Sequence, residues 1–225
     1  MTRLFVTATG TELGKTYVTA ALAALARARG LTCRVVKPVV SGFDPADPAG
    51  SDPAVLAAAC GLPLDAATLD RLSPWRFRAP LSPDMAAARE GKSIDAAALV
   101  QYCRAALAGP EDCVLVEGVG GVMVPLDQRQ TVRDWMAALG IPAVLVAGSY
   151  LGTLSHTLTA RLALADAGIA LRAIVVSESE AAPVPLAETV ATLGRFVAGV
   201  PIFGLKRRDG PESWRTAPEL SALLG

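Results

Sequence analysis

Apolar segments that end in charged or glycine-rich turns alternate along the chain with helical patterns. This alternation predicts a single doubly wound α/β domain, with a mostly parallel central sheet of about seven strands flanked by helices. Three observations carry that class. Cys113–Val116 and Ala143–Ala147 are continuous apolar runs, as expected of parallel strands covered on both faces. Stretches with helical apolar spacing separate the strand patterns. No repeat or low-complexity linker divides the 225 residues, a length within the one-domain range for α/β folds.

The first strand pattern opens at Leu4 and runs into a Thr/Gly-rich turn, then Gly14-Lys15-Thr16 at the head of an alanine-rich helix. A strand, loop and helix in this order fold backbone N–H groups around an anion. The helix N-terminus stands behind them, Lys15 adds an ammonium, and the Thr16 hydroxyl can hold Mg²⁺. The usual spacing of such loops puts glycine at position 9; here Thr9 is followed by Gly10. Tyr17 to Arg29 continues as the helix, with Arg27 and Arg29 in its last turn and Gly30 as its stop.

Cys33 to Lys37 reads as the second strand and leads into Pro38-Val39-Val40-Ser41-Gly42. Lys37 and Ser41 therefore stand at the carboxyl end of a strand, where ligands of open parallel sheets collect. Residues 43 to 51 form a loop, and Ser51-Asp52-Pro53 supplies a helix start. Asp52 serves either as part of that cap or as a metal carboxylate, if the loop folds back over the phosphate site. Residues 63 to 83 read as irregular, followed by helices at Met85 to Glu90 and Asp95 to Leu107. Cys113 to Glu117 is a buried strand tipped by a carboxylate and closed by Gly118-Val119-Gly120-Gly121, a second nucleotide-site signature.

Further helices are expected at Thr131 to Leu139, Leu154 to Ala167 and Glu188 to Val197, with strands at Arg172 to Val176 and Pro201 to Leu205. The C-terminal part reads as loop before a short final helix. Gly148 to His156 is a glycine-hinged loop whose amides and hydroxyls suit a carboxylate. His156, with no partner nearby in sequence, reads as a structural residue at a helix start.

Composition narrows the function classes. Lys plus Arg and Asp plus Glu are equal at 21 each, so no global basic field exists to gather nucleic acid or anionic lipid. No apolar run is long enough to span a membrane. Four cysteines without a Cys-x-x-Cys pair point to reduced core thiols and a cytoplasmic protein. A single histidine excludes a multi-histidine metal centre and makes hydrolytic triad chemistry unattractive.

With these segments in order, the chain resembles the dethiobiotin synthetase family of P-loop NTPase type over nearly its full length. The resemblance rests on Thr11 to Thr16, Lys37-Pro38-Val39-Val40-Ser41-Gly42, Ser51-Asp52, Leu81-Ser82-Pro83, Val116 to Gly121 and Tyr150 to His156. It implies one domain over residues 1–225 that closes the ureido ring of dethiobiotin from 7,8-diaminononanoate, CO2 or bicarbonate, and ATP, with Mg²⁺. Carried over residue by residue, it makes Lys37, Lys15 and Thr11 catalytic. Nucleotide contacts fall on Thr11, Glu12, Leu13, Gly14, Lys15, Thr16, Tyr17, Ser177, Pro201, Phe203, Gly204 and Leu205. Substrate contacts fall on Lys37, Ser41, Glu117, Gly118 and Leu151, Gly152, Thr153, Leu154 and Ser155, the last five reaching across a homodimer interface. The implied metal ligands are Thr16, Asp52 and Glu117.

Three positions depart from the family's usual pattern: Ala8 for a glycine, Ser155 for a frequent asparagine, and Ser177 for the adenine-reading asparagine. Serine lacks the paired donor and acceptor that match an adenine edge, so looser base discrimination is expected. Two related ATPase classes fit less well. A cobyrinate-type amidoligase needs a glutamine-hydrolysing domain for which there is no room. Partition-type ATPases carry a signature lysine where Gly10 stands.

Overall fold

A computed structural model describes residues 1–210 and 212–224. Its main sheet has six parallel strands in the order β2-β5-β1-β6-β7-β8. These are β1 (Thr2–Ala8), β2 (Cys33–Val36), β5 (Cys113–Glu117), β6 (Ala143–Ala147), β7 (Leu171–Ser177) and β8 (Ile202–Leu205). A separate two-stranded parallel sheet joins β3 (Val39–Ser41) to β4 (Trp75–Phe77). The expected class holds, with six strands in the main sheet rather than about seven.

Strand alternation divides the core between the two faces. Leu4, Val6, Leu115, Val144 and Val146 pack with α1 (Lys15–Ala28) and α2 (Asp52–Cys60) on one side. Phe5, Val116, Leu145 and Ile174 pack on the other. There they meet α5 (Ala96–Leu107), α6 (Val132–Leu139), α7 (Thr153–Asp166) and α8 (Leu186–Phe196). Phe5 meets Trp135 edge to face at 4.8 Å between ring centroids. Its ring edge lies 2.8 Å from where a Cβ on Gly118 would sit, so the turn after β5 tolerates no side chain there.

Residues 63–83 are ordered, contrary to the irregular reading. They hold α3 (Ala66–Leu72) and β4, before α4 (Pro83–Arg89) begins. Helix α3 is only seven residues long, too short for clear periodicity, and is started by the Asp65 carboxylate accepting from the Thr68 amide at 2.7 Å. β4 has three residues and is defined by its pairing with β3 rather than by a pattern of its own. The short final helix is of 3₁₀ type, Pro218–Leu224, and follows a 3₁₀ turn at Ser213–Arg215. Trp214, Ala217, Leu220 and Leu223 from these turns join the core face that contains α1.

Topology creates the cleft. The chain leaves β1, forms α1 and enters β2 two positions away, with β5 inserted between. Loops after β1, β2 and β5 thus meet at one sheet edge, the crevice where open α/β sheets bind ligands.

Candidate active site

Ala8 ends β1 as an ordinary strand residue in the core, so its Cβ is accommodated. The loop then turns through Glu12, held at φ 59°, and Gly14, at φ 90°. Left-handed backbone is strained for Glu12 and free for glycine. Gly14 caps α1 without a side-chain partner, leaving the first amides of the helix facing the cleft. A Cβ on Gly14 would stand 3.1 Å from Ser177 Oγ, which brings the tip of β7 over the phosphate loop.

Lys15 is 7% exposed and donates to the Gly10 carbonyl at 3.0 Å. Burial, followed by the neighbouring Lys37 charge, pushes its pKa down to about 8. An ammonium folded against its own loop in this way is set to exchange a carbonyl for a phosphate oxygen.

Strand register places the central charges. Val36 pairs with Val116, so the residues that follow, Lys37 and Glu117, emerge side by side. Lys37 Nζ donates to Glu117 Oε1 and Asp52 Oδ2, both at 2.6 Å. Thr16 Oγ1 donates to the same Glu117 oxygen at 2.7 Å. Burial opposes charge on Lys37, yet the Glu117 and Asp52 carboxylates outweigh it and raise its pKa. Burial likewise opposes ionisation of Asp52, but Lys37 holds its carboxyl below the usual range. Asp52 can serve here because it lies in the first turn of α2, one residue inside Ser51, which occupies the cap position.

Among the described residues, no group of three or more His, Cys, Asp or Glu side chains is placed to hold a metal. Thr16, Asp52 and Glu117 nonetheless form a set of hard oxygen donors, the kind Mg²⁺ takes together with water and phosphate. The second oxygen of Glu117 is buried without a hydrogen-bond partner, so one acceptor remains unused. The residues present fit the ion.

Two cavities flank this centre. One, of about 630 Å³, is lined by Thr11, Glu12, Gly14, Lys15, Thr16, Lys37, Ser41 and Asp52. Its remaining wall is largely apolar, with Val40, Pro80, Leu81, Pro83, Val119 and Val124. The other, of about 550 Å³, is lined by Glu12, Leu13, Gly14, Tyr17, Gly148, residues 177–180 and residues 205–210. Tyr17 lines it while its hydroxyl donates to the Ser213 carbonyl at 2.9 Å.

Several expected residues stand elsewhere. Pro201, Phe203 and Gly204 do not line the second cavity; Leu205 and the segment after it do. Gly118 is held behind the first cavity by its bond to the Val6 carbonyl, and Val119 and Gly120 take the lining. Leu151 to Ser155 line neither cavity. Thr153 is buried and its hydroxyl is spent on the Gly148 carbonyl at 2.7 Å, while Leu151 is 86% exposed. His156 does have a partner, because its Nδ1 lies 2.8 Å from the Tyr150 hydroxyl.

Sequence reasoning left Ser82 outside the site. It lines the first cavity, and its hydroxyl, like that of Ser41, is buried without a partner. The signal available was Leu81-Ser82-Pro83, but the reading of residues 63 to 83 as irregular hid the wall to which it belongs.

A family model described as an AAA domain matches residues 2–205. The chain is 49% identical to a curated protein of Acidiphilium cryptum, over 89% of this chain and 91% of that protein. A Methylobacterium nodulans protein is 50% identical over 93% of this chain and 95% of its own length. Both carry the name ATP-dependent dethiobiotin synthetase BioD. The chain belongs to the dethiobiotin synthetase family. As a dethiobiotin synthetase homologue, it is an ATP-dependent cyclo-ligase with a role in biotin biosynthesis.

Solved structures agree on the fold of this synthetase and carry nothing further. A chloroplast FtsY from Physcomitrella patens superposes with a TM-score of 0.57 at 16% identity, over 99% of this chain and 64% of that one. The Pyrococcus furiosus cell division ATPase MinD gives 0.52 at 17%, over 90% and 81%. No described helix is long and apolar enough to cross a membrane.

Proposed function

We propose that this chain carboxylates 7,8-diaminononanoate with CO2 and closes it to dethiobiotin in a Mg²⁺-dependent reaction that releases ADP and phosphate. The observation that carries the reading is the single cleft in which the Thr11–Thr16 cradle and Lys37 face an apolar wall. Such a cleft holds a triphosphate at one end and an aliphatic chain at the other. Residues 1–225 act as one domain, and a cytoplasmic location accompanies the reading.

A substrate amine captures CO2 as a carbamate, whose oxygen attacks the γ-phosphate. The second amine then displaces phosphate from the mixed carbamic-phosphoric anhydride and closes the ring. A carbamate is a weak nucleophile, so positioning and cancellation of γ-phosphate charge have to supply the rate. Lys15 and Lys37 supply that charge, with Thr11 at the loop rim. Ser41 holds the diamine or its carbamate, and the turn after Glu117 borders the reacting end through Val119 and Gly120. Thr16, Asp52 and Glu117 would hold Mg²⁺, which neutralises phosphate charge and orients the leaving group.

The adenosine end belongs in the second cavity, between Leu13, Gly14, Tyr17 and Ser177. With serine at 177, kcat/KM for ATP should exceed that for other nucleoside triphosphates by less than about tenfold. Ser177→Asn should widen the gap, since a matched pair of hydrogen bonds discriminates by about 1–3 kcal/mol. Steady-state assays with the four nucleotides check this. Strong ATP preference in the unaltered enzyme, unchanged by Ser177→Asn, would remove Ser177 from base reading.

We further propose a homodimer in which Leu151 to Ser155 of one protomer bind the substrate carboxylate held by the other. Exposure supports it, with Leu151, Leu154 and Leu162 of this loop and α7 at 86%, 37% and 63%. Leu162→Asp should yield a monomer in sedimentation and raise KM for the diamine at least tenfold, with ATP affinity unchanged. A monomeric parent enzyme of full activity would refute the arrangement.

The reaction itself is tested by phosphate release from ATP that depends on both bicarbonate and diaminononanoate, with a product mass equal to the cyclic urea. ATP hydrolysis indifferent to the diamine would contradict the proposal.

A further inference from the structure

Lys37 touches every member of the proposed metal set. Its ammonium lies 2.6 Å from Asp52 Oδ2, 2.6 Å from Glu117 Oε1 and 3.5 Å from Thr16 Oγ1. Three oxygens from three segments, a strand tip, a helix start and the phosphate loop, converge on this one nitrogen. Lys37 is 4% exposed and Glu117 fully buried, so water does little to screen either charge.

We infer that Lys37 and the divalent cation share one seat: the ammonium is the resident counter-ion of Asp52 and Glu117, and metal entry expels it into the cleft. This rests on the metal reading above. A divalent ion on Glu117 Oε1 and Asp52 Oδ2 would stand at contact distance from the ammonium, where like charges repel strongly in so dry a site, so the two cations compete for these oxygens. An isolated buried Glu117 is unfavourable too, so one cation replaces the other in a single exchange. The cavity lined by Lys15, Lys37 and Asp52 receives the displaced side chain.

The consequence is an order of assembly. While Lys37 is clamped it cannot meet a γ-phosphate, so ATP without metal finds an incomplete centre. Metal loading creates the ion site and frees the catalytic ammonium in a single exchange. The two requirements of phosphoryl transfer are thereby satisfied together.

The test is binding of Mn²⁺ alone to nucleotide-free protein, read from the electron paramagnetic resonance of free Mn²⁺. Lys37→Met removes the competitor at similar length and should tighten Mn²⁺ at least tenfold. Lys15→Met removes a neighbouring cation that does not touch the carboxylates, and should change affinity less than threefold. Equal tightening by both would reduce the effect to general charge and overturn the shared seat; so would an unchanged affinity in Lys37→Met. If Glu117→Gln leaves Mn²⁺ binding intact, the metal reading itself fails and takes the exchange with it. Thermal unfolding gives a second readout. Lys37→Met should melt lower than the parent without metal and gain more from added Mn²⁺, whereas equal gains in both proteins would also count against the exchange.

Discussion

Lys37→Ala should lower kcat by roughly 10²–10³-fold while the dissociation constant for Mg·ATP moves by no more than about threefold. The asymmetry follows because Lys15 and the loop already hold the triphosphate before reaction, so the Lys37 ammonium counts most as transferred charge spreads over the equatorial oxygens. Single-turnover phosphate release and equilibrium nucleotide binding separate the two quantities. Equal losses would assign Lys37 to ground-state binding. The assay belongs in saturating Mg²⁺, because removing one partner of a buried ion pair typically costs about 3–5 kcal/mol, and Glu117 is fully buried.

Glu117→Gln should raise the Mg²⁺ concentration for half-maximal activity by about tenfold or more, with a smaller change in nucleotide affinity measured without metal. The amide keeps the shape and can still accept from Thr16. It loses the charge, and the position of the unpartnered carboxylate oxygen becomes an NH2 donor that cannot coordinate a cation. An activity profile in Mg²⁺ that overlays the parent's would take Glu117 off the metal set.

Much of this centre was legible in the sequence because it is written on strand tips and a loop. Gly14-Lys15-Thr16, Lys37 and Glu117 each follow an apolar run that declares its strand, and parallel strands put such tips at one edge. Asp52 was legible only as an alternative, since a residue behind Ser51 reads equally well as part of a helix start. What stayed hidden depends on tertiary pairing. β4 has three residues, α3 has seven, and neither is long enough for a period to stand out. The wall that carries Ser82 went unseen with them. Likewise, nothing local announced that the segment after Leu205, rather than Pro201 to Gly204, would border the second cavity. Strand direction carries those earlier residues behind it.

The register of β2 against β5 bears on how freely the surroundings can drift. Lys37 and Glu117 are spaced by a main-chain ladder, about 4.8 Å between neighbouring strands, and not by any surface loop. Insertions after Gly42, or rebuilding of the turn beyond Gly121, would leave that spacing untouched. Asp52 lies beyond the loop of residues 42–51 and has no such ruler. Length variation in that loop is therefore a means of tuning one carboxylate while the other two charges keep their distance, a natural place for relatives to diverge in metal affinity without losing the reaction.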